Sequence, residues 1–397
     1  MIPIEEARTY VMDRCRQQPP EATDVADALG LVTATDVIAN ESLPPFANTA
    51  MDGFAVRSAD LSSVPVRLEV VETIAAGHNP TRSLDSGQAS RIMTGAPIPD
   101  GADAIVMVEK TSVDGDTVTI EVQVEPGNHI RPAGDDLMKG DLVFPAGTRL
   151  TAGRLGVLCS LGFREIETYP RLRVGVMSTG DELVDDGGDL EPGQIRDSNR
   201  RTLLSLLSGD GFVPVDLGLV ADDEGAIEEA LGQGATDCDA VITSGGVSMG
   251  DFDYVKAVLD RIGDMRWMQI AIKPAKPLAF GTIKGTPIFG LPGNPVSSMV
   301  SYELFARAGL RSMMGFKKPI RTAIKGIAAN SISRRTDGKI HYVRVIAEHE
   351  NGATVVYPVS GQGSHMLASM ARSNALAVLP DGPGCEAGEQ VDVLLLD

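Results

Sequence analysis

Residues 240–250 read Ala240-Val-Ile-Thr-Ser-Gly-Gly-Val-Ser-Met-Gly250, a short apolar run followed by a loop of glycines and hydroxyl side chains. The apolar run is typical of a buried strand, and the glycines allow the loop to turn its amide groups toward an anion. A helix is predicted directly afterwards, from Asp253 to Ile262. This order predicts a parallel α/β unit whose loop, Ser244 to Gly250, binds a phosphate-bearing ligand.

The same alternation of strand and helix extends outward from this loop, from about Arg171 to Leu310. Such alternation implies right-handed crossovers and a parallel sheet covered by helices on both faces. The predicted strands are Arg173–Met177, Val213–Leu219, Ala240–Thr243 and Pro287–Gly290. The predicted helices are Arg200–Leu207, Asp223–Leu231, Asp253–Ile262 and Val296–Leu310.

The flanking parts of the chain have different patterns. Helices are predicted at Ile4–Gln17 and Glu21–Leu29, and a further helix, Ala152–Leu161, leads back to this first part. Short β runs separated by turn residues predict a small β-rich domain in the first half and a small β-barrel or sandwich at the C-terminus. The β runs are Val64–Thr73, Ala89–Met93, Ala104–Glu109, Thr117–Val124, Ile340–Ala347, Thr354–Val359, Ala375–Leu379 and Gln390–Leu396.

The 397 residues exceed the usual size of a single core, so two to four domains are expected, and the sequence patterns divide the chain as follows. Residues 1–45 and 140–170 form a discontinuous N-terminal domain, 46–139 a β-rich domain, 171–317 the α/β domain and 318–397 the C-terminal β-barrel. The fold class is thus multidomain α/β plus β.

Composition excludes several classes of protein. The formal charge of −19 disfavours nucleic acid and anionic membranes as partners, although Arg196, Arg200 and Arg201 could attract a phosphate. No uncharged apolar stretch reaches the roughly 18 residues of a membrane span. The four cysteines are dispersed, so neither a disulfide framework nor a zinc site is expected. The N-terminus has no signal-peptide pattern. The cytoplasm is the expected location.

Three loops are expected to meet at the carboxyl edge of the sheet, where ligands of parallel sheets bind. They carry glycines and hydroxyl groups suited to a phosphate, although plain loop geometry is the alternative for any single one. They are not a P-loop or a dinucleotide fingerprint, because neither motif occurs. The loops are Ser178–Glu182, Ser244–Gly250 and Leu291–Pro295.

Acidic residues accompany these loops. Carboxylates beside a phosphate repel it unless a cation bridges them, which points to Mg²⁺. Helix N-capping is the alternative for Asp223 and Asp253, since both precede predicted helices. Glu182 has no evident capping role. The acidic residues are Asp181, Glu182, Asp222, Asp223, Asp251 and Asp253.

Two further segments are candidates for binding. Lys273-Pro-Ala-Lys-Pro277 places two lysines between prolines, as point charges for a phosphate or oxyanion, with a surface turn as the alternative. In the first half, Pro45–Phe54 and Arg91–Pro97 mix rigid, apolar and polar residues more than a connector requires. These loops could complete a site in another domain or in a second subunit.

In combination and order, six motifs closely resemble the molybdopterin molybdenumtransferase family, the bacterial MoeA proteins and the E domain of gephyrin. The resemblance covers essentially the whole chain. The motifs are Leu43-Pro-Pro-Phe-Ala-Asn-Thr-Ala-Met-Asp-Gly-Phe-Ala-Val56, Met93-Thr-Gly-Ala-Pro97, Ser178-Thr-Gly-Asp-Glu-Leu183, Ser244-Gly-Gly-Val-Ser248, Lys273-Pro-Ala-Lys-Pro277 and Leu291-Pro-Gly-Asn-Pro-Val-Ser297.

The resemblance implies an elongated homodimer that inserts molybdate, its substrate, into adenylylated molybdopterin with Mg²⁺ and releases AMP. The site would lie between the α/β domain of one subunit and the β-rich domain of the other. The implied mechanism is metal-assisted nucleotidyl cleavage coupled to oxyanion transfer, in which positioning and electrostatics dominate because no protein nucleophile is evident. The molybdopterin adenylyltransferase is a possible partner.

Site residues follow from the matching motifs. The implied catalytic residues are Asp52, Thr94, Asp136, Glu182 and Asp253. The implied metal ligands are Glu182 and Asp222. The implied substrate-binding residues are Thr179, Gly180, Ser244, Gly245, Gly246, Ser248, Lys273, Lys276, Pro292, Asn294 and Pro295.

Four positions depart from the family's usual residues. Phe54 stands where Tyr is common, so no phenol acts there, and Ala47 replaces a frequent Asp. Ala275 replaces a frequent Gly between the two lysines. Gln269 occupies a position that is often Lys, which removes one possible anion contact.

Three alternatives remain open at this point. The adenylyltransferase of the preceding step resembles only residues 171–315, and the β-rich domain with Met51-Asp-Gly53 favours the molybdenumtransferase. A scaffold protein, which only anchors other proteins, is the second alternative, but it would not require the acidic and lysine loops. A tungstate-specific or inactive relative is also compatible, because tungstate has nearly the size and charge of molybdate.

Overall fold

The computed structural model describes residues 1–246 and 254–396. The chain begins with α1 (Ile4–Met12), followed by the short strands β1 (Glu21–Asp24), β2 (Val32–Thr33) and β3 (Val37–Ile38). The predicted helix at Glu21–Leu29 is wrong. Thr23 instead lies in a strand, where its hydroxyl is 2.7 Å from that of Thr168, and the Asp24 carboxylate accepts the Ala26 N–H at 2.8 Å and closes a turn.

The β-rich segment, residues 46–139, forms a six-stranded sheet in the order β8-β5-β7-β6-β10-β9, and the predicted β-rich domain is confirmed. Apolar residues that alternate along these strands form two small cores, around Phe54 and around Ile105. The strands are β4 (Asn48–Thr49), β5 (Gly53–Val56), β6 (Val66–Ile74), β7 (Gln88–Ile92), β8 (Ala104–Met107), β9 (Thr111–Asp114), β10 (Thr117–Ile120) and β11 (Ile130–Arg131), with 3₁₀ turns at Ser58–Leu61 and Val108–Lys110.

The chain then returns to its first part. Strand β12 (Leu142–Phe144) pairs with β3, and β13 (Glu165–Tyr169) lies between β1 and β2. Helix α2 (Ala152–Ser160) supplies Leu158 to a core that also contains Val25 and Val37. Residues distant in sequence thus share one core, as expected for the discontinuous N-terminal domain.

The α/β segment contains a six-stranded sheet in the order β17-β14-β18-β22-β21-β19. The four strands that the sequence predicts are parallel. Two further strands, β21 and β19, extend the sheet antiparallel and were not predicted. The elements are β14 (Arg173–Thr179), β15 (Leu183–Val184), β16 (Ile195–Arg196), α3 (Asn199–Gly209), β17 (Val213–Val220), α4 (Glu224–Asp237), β18 (Ala240–Ser244), α5 (Tyr254–Ile262), β19 (Asp264–Gln269), β20 (Ile272–Lys273), β21 (Pro277–Ile283), β22 (Thr286–Leu291), α6 (Pro295–Ser301) and α7 (Arg307–Met313).

Helices cover both faces of this sheet, because its strands are apolar on both sides. Helices α4 and α5 cover one face around Ile227 and Val258. On the other face lie α1, α3, α6 and α7, in the largest core of the molecule. A π-helical stretch, Tyr302–Ala306, joins α6 to α7, so the predicted helix Val296–Leu310 is present but not uniform.

The C-terminal segment forms a closed five-stranded barrel, as predicted. Strand β20 of the α/β segment pairs with β25 and attaches the barrel beside the lysine motif. The elements are β23 (Ile324–Ala328), β24 (Ile332–Ser333), β25 (Ile340–Glu350), β26 (Ala353–Pro358), α8 (Leu367–Ala371), β27 (Ala375–Leu379), β28 (Gly384–Cys385) and β29 (Gln390–Leu395). Among the described residues, no helix has the length and apolar character needed to cross a membrane.

Candidate functional site

Three loops and an acidic residue meet at the carboxyl edge of the parallel strands. The register pairs Thr179 with Val220, Ser178 with Ser244 and Ser244 with Leu291, so the strand ends lie side by side. The sequence-predicted residues at this edge are Thr179, Gly180, Glu182, Asp222, Ser244, Gly245, Gly246, Pro292, Asn294 and Pro295. The predicted residues Ser248 and Asp253 lie outside the described residues.

Glycines let these loops approach one another closely. The Gly245 N–H donates to the Leu291 carbonyl at 3.1 Å, which joins the second loop to the third. A Cβ at Gly245 would lie 3.2 Å from the Thr179 carbonyl oxygen, and one at Gly246 only 2.3 Å from Cβ of Val255. Both glycines also have positive φ, at 95° and 68°. A side chain at Gly246 would therefore displace helix α5.

Asn199, which the sequence analysis did not identify, fixes two of these loops. Its Nδ2 donates to Oγ of Ser244 at 2.9 Å and to the Gly293 carbonyl at 2.7 Å. Two residues earlier, the Asp197 carboxylate accepts the hydroxyl of Ser178 at 3.1 Å. Asp197, just before α3, and Asn199, its first residue, therefore connect Ser178, Ser244 and Gly293 at this edge. Both partners of Asn199 are distant in sequence, so no local pattern indicates this role.

Replacing Asn199 by Ala is expected to lower the catalytic rate more than it lowers stability. The substitution leaves the backbone intact but frees Ser244 and Gly293 to move apart, and small displacements of binding groups slow reactions strongly. We expect a loss of about tenfold to a hundredfold in kcat/KM, with a Tm change of a few degrees at most. Thr202→Ala, one turn later on α3, is the control. Equal activity of the two variants would contradict the role.

The acidic residues of the first loop and Asp222 form a compact negative group. The Asp181 N–H donates to the Asp222 carboxylate at 3.3 Å. The pKa of Asp222 is raised, first by burial and then by the charges of Asp181 and Glu182, with the hydrogen bond opposing. The Glu182 carboxylate folds back over Gly180, where a Cβ would lie 2.7 Å from Oε2. Asp223 instead accepts the Ala226 N–H at 2.9 Å and caps α4, so for this residue the capping interpretation is confirmed.

A divalent cation would suit this negative group. Two carboxylates and the raised pKa of a third indicate repulsion that a cation would relieve. Within the described residues no three His, Cys, Asp or Glu side chains are already arranged as a metal site. Glu182 and Asp222 could thus supply only part of a coordination shell, with substrate oxygens or water completing it, as is usual for Mg²⁺.

The two lysines of the Lys-Pro motif line a cavity of about 600 Å³, which we call the lysine cavity. Lys339 from the barrel contributes a third ammonium group, and Ser297 and Ser364 contribute hydroxyl groups. The motif lies at the same edge as the three loops because β21 runs antiparallel and therefore starts there, with Ala279 paired to Gly290. Lys339 and Ser364 were not predicted, because they lie more than 60 residues after Lys276 in the chain.

Backbone geometry and hydrogen bonds hold the lysine cavity in shape. Ala275 has a φ of 70°, a conformation that glycine adopts at lower cost, and it is buried between the lysines. The Val296 N–H donates to the Ser364 carbonyl at 3.0 Å, joining α6 to the barrel. Lys339 lies 3.4 Å from the carboxylate of Asp337, which also contacts Arg334 and so orients the third ammonium group.

In the β-rich segment, Asp52 and Thr94 lie together. The Asp52 carboxylate accepts the backbone N–H of Thr94 at 2.7 Å and its hydroxyl at 2.8 Å. These two bonds, the backbone bond first, lower the pKa of Asp52, and the charge of Arg91 adds to them. Both side chains are exposed, so the ionised carboxylate is available to a ligand.

Asp136, also exposed, belongs to the same end of the β-rich segment. Its N–H donates to the Leu43 carbonyl at 3.0 Å, and the Gly95 N–H donates to the Thr49 carbonyl at 2.9 Å. Residues 43–52 thereby link the Asp136 loop to the Thr94 loop. Among the described residues, no element of this segment pairs with or packs extensively against an element of the α/β segment. Within one chain, these two groups of candidate residues are therefore held by separate frameworks.

In the arginine cluster at residues 196–201, which the sequence suggested could attract a phosphate, two of the three guanidinium groups are paired with carboxylates. Arg200 is only 3% exposed and contacts the carboxylates of Asp185, Asp197 and Asp216. Arg201 also pairs with Asp185, at 3.0 Å. These guanidinium groups are neutralised within the fold.

The chain matches three family descriptions along its length. Residues 2–162 match the MoeA N-terminal region (domain I and II), residues 175–312 a probable molybdopterin binding domain, and residues 328–396 the MoeA C-terminal region (domain IV). Together these matches span the β-rich, α/β and barrel segments.

Individual proteins agree with these matches. A molybdopterin molybdenumtransferase from Haemophilus influenzae is 37% identical, covering 99% of this chain and 98% of that protein. A molybdopterin molybdenumtransferase 2 from Mycobacterium tuberculosis is 39% identical, covering 99% of each. The crystal structure of a molybdopterin biosynthesis moeA protein from Pyrococcus horikoshii OT3 superimposes with a TM-score of 0.84 and 28% identity over 100% of both chains.

Proposed function

Because the chain belongs to the MoeA family of molybdopterin molybdenumtransferases, we propose that it is the enzyme that inserts molybdate into adenylylated molybdopterin and releases AMP. The observation that carries the proposal is the position of the lysine cavity beside the phosphate loops of the sheet edge. Three ammonium groups suit a tetrahedral dianion, and the glycine loops suit the phosphates of the organic substrate. The four free cysteines suit a cytoplasmic location.

Each group of residues has a distinct task in this proposal. Lys273, Lys276 and Lys339 hold molybdate, with Ser297 and Ser364 as hydrogen-bond donors. Thr179, Gly180 and the Ser244–Gly246 loop hold the pterin phosphate, and Pro292 to Pro295 shape the wall between the two ligands. The two dithiolene thiol groups, with two further protons from solvent, replace two oxygens of molybdate, which leave as two water molecules. A water molecule attacks phosphorus of the phosphoanhydride, so the bridging P–O bond breaks and gives AMP and the phosphate monoester of molybdopterin.

We further propose that Glu182 and Asp222 hold Mg²⁺ together with substrate oxygens. The ion, when bound, would neutralise the charge that develops on the phosphoanhydride. Asp222 is suited to this role because burial and the neighbouring carboxylates already disfavour its ionised form, and a cation would reverse that effect.

Replacing Asp222 by Asn is expected to stabilise the metal-free protein. A carboxyl whose pKa is raised by folding destabilises the fold above its folded-state pKa, and this penalty vanishes at acid pH, where the group is protonated in both states. The variant should therefore melt at a higher temperature than wild type at pH 7, and the difference should disappear near about pH 3. Mg²⁺ should raise the Tm of wild type more than that of the variant. An equal response to Mg²⁺ would contradict the metal assignment.

The second half of the site is proposed to come from a partner subunit in a homodimer. Asp52, Thr94 and Asp136 lie on a segment that does not pack extensively against the α/β segment of its own chain, within the described residues. An exposed, ionised Asp52 with Thr94 could then face the phosphate loops of the other subunit and close the site. Each homodimer would contain two such composite sites.

Mixed dimers provide the test of this arrangement. Asp52→Asn and Glu182→Gln are each expected to be nearly inactive, but co-refolded chains should recover about a quarter of wild-type activity, because half the dimers contain one intact site. A mixture of Asp52→Asn with Thr94→Ala is the control and should stay inactive, since both changes affect the same half. Recovery in the control, or none in the first mixture, would contradict the composite site.

The overall reaction is tested by incubating the purified protein with adenylylated molybdopterin, Mg²⁺ and molybdate while AMP is measured. Molybdate-dependent release of AMP is the expected result, and its absence would contradict the proposed function. A parallel incubation with tungstate distinguishes a tungstate-specific enzyme. Addition of the adenylyltransferase that supplies the substrate would show whether transfer between the two proteins is direct.

A further inference from the structure

A second large cavity lies away from the site described above, among α3, α6, α7, the barrel and the loop before α2. Its volume is about 830 Å³, within the range of small-molecule pockets. We call it the arginine cavity, because Arg149, Arg201, Arg307 and Arg321 line it. It shares no lining residue with the lysine cavity.

Ion pairs account for three of the four lining arginines. Arg307 pairs with Asp210 at 2.8 Å, and Arg321 pairs with Glu303 at 2.5 Å. Arg201 is directed toward Asp185, at 3.0 Å. Arg149 remains without an ion pair among the described residues, so the cavity carries a surplus positive charge in a protein whose net charge is −19.

Two further guanidinium nitrogens, one on Arg307 of the lining and one on Arg311 outside it, lack hydrogen-bond partners in the part of the chain that the structure describes. Nη1 of Arg307 and Nε of Arg311 are buried and have no hydrogen-bond partner among the described residues. The side chain of Arg307 is only 6% exposed, although its Nη1 lies 3.6 Å from Glu303. Burial, followed by the charges of neighbouring arginines, lowers the pKa of Arg311 to about 10. Among the described residues that line the cavity, four carry guanidinium groups but only two, Asp210 and Glu303, carry carboxylates, so the lining suits a bound anion.

The rest of the lining indicates what the anion is attached to. Four apolar side chains, Leu206, Met299, Met370 and Leu396, also line the cavity. Guanidinium groups match the geometry of phosphate oxygens, and methionine side chains adapt to planar rings. We propose that the arginine cavity binds a phosphate monoester with an apolar or aromatic body, its phosphate held by Arg149 and Arg307.

The test is calorimetric titration of the full chain with phenyl phosphate, inorganic phosphate and phenol. All measurements use a Lys276→Gln background, which weakens phosphate binding in the lysine cavity, and the arginine cavity is identified by the loss that Arg149→Gln causes in this background. We expect saturable binding of phenyl phosphate, weaker binding of inorganic phosphate and none of phenol. Arg149→Gln should weaken phenyl phosphate binding about tenfold, the effect of one charge-assisted hydrogen bond.

Arg372→Gln is the matched control, because Arg372 is exposed beside the lining residues Ala371 and Ser373 but does not line the cavity. It removes the same charge and should leave binding unchanged. Equal affinities of the Arg149→Gln and control variants, or no saturable binding of phenyl phosphate, would overturn the proposal. So would light scattering that shows a changed oligomeric state for Arg149→Gln, since a second copy of the chain would then cover the cavity. The proposal does not depend on the molybdate reaction.

Discussion

Replacing Lys276 by Gln is expected to slow molybdate insertion about a hundredfold, the usual effect of removing one preorganised group that stabilises an oxyanion. Lys276 lies between Ala275 and the start of β21 and lines the lysine cavity with Lys273 and Lys339. Gln keeps a donor but removes the charge and is one bond shorter. Binding of the organic substrate should change little, because its phosphates are assigned to the sheet-edge loops.

The measurement is molybdate-dependent AMP release at several molybdate concentrations. The loss should be largest at low molybdate. Lys276→Arg should recover part of the rate, because the guanidinium group restores the positive charge but not the shape of the ammonium group. Lys284→Gln is the matched control, since Lys284 is exposed in the hairpin between β21 and β22, at the opposite edge of the sheet. If Lys276→Gln kept the wild-type rate at low molybdate, the lysine cavity would not be the molybdate site.

Much of the α/β segment could be predicted because its signals are local. Strands such as Arg173–Thr179 and Ala240–Ser244 are continuous apolar runs, and parallel packing buries both of their faces. The antiparallel strands β19 and β21 were missed because they contain arginine, proline and glycine and pair at the margin of the sheet. The helix predicted at Glu21–Leu29 is wrong because Glu21–Asp24 form a strand that pairs with β13, and this pairing outweighs their helix propensity.

Only part of the candidate site could be predicted, because some of its contacts join residues that are far apart in the sequence. Loops at the carboxyl edge follow from strand order, so Thr179, Ser244 and Pro292 could be placed together. Asn199 and Ser364 act through bonds or surfaces supplied by residues far along the chain, and no spacing in the sequence reports such contacts. The buried state of Arg200 also depends on three carboxylates gathered from different elements. Folding brings these groups together, and only the structure shows the result.

Replacing Arg200 by Leu is expected to lower the free energy of unfolding by about 3–5 kcal/mol, the usual effect of removing one member of a buried ion pair. Arg200 Nε donates to Asp197 at 2.9 Å, and the Asp197 side chain is only 1% exposed. Without the guanidinium, this carboxylate is left charged in the interior beside Ser178. Urea unfolding at pH 7, followed by circular dichroism, gives the difference.

Arg201→Leu is the control for this prediction. Arg201 is the next residue and contacts two of the same carboxylates, but its side chain is 61% exposed, so its loss should cost less than about 1 kcal/mol. The double variant Arg200→Leu/Asp197→Asn should recover part of the stability, since the stranded charge is gone. Its activity should stay low, because the Asp197 carboxylate also receives the Ser178 hydroxyl directly before Thr179 and Gly180. Equal losses of stability for Arg200→Leu and Arg201→Leu would show that the buried network contributes nothing beyond a surface pair.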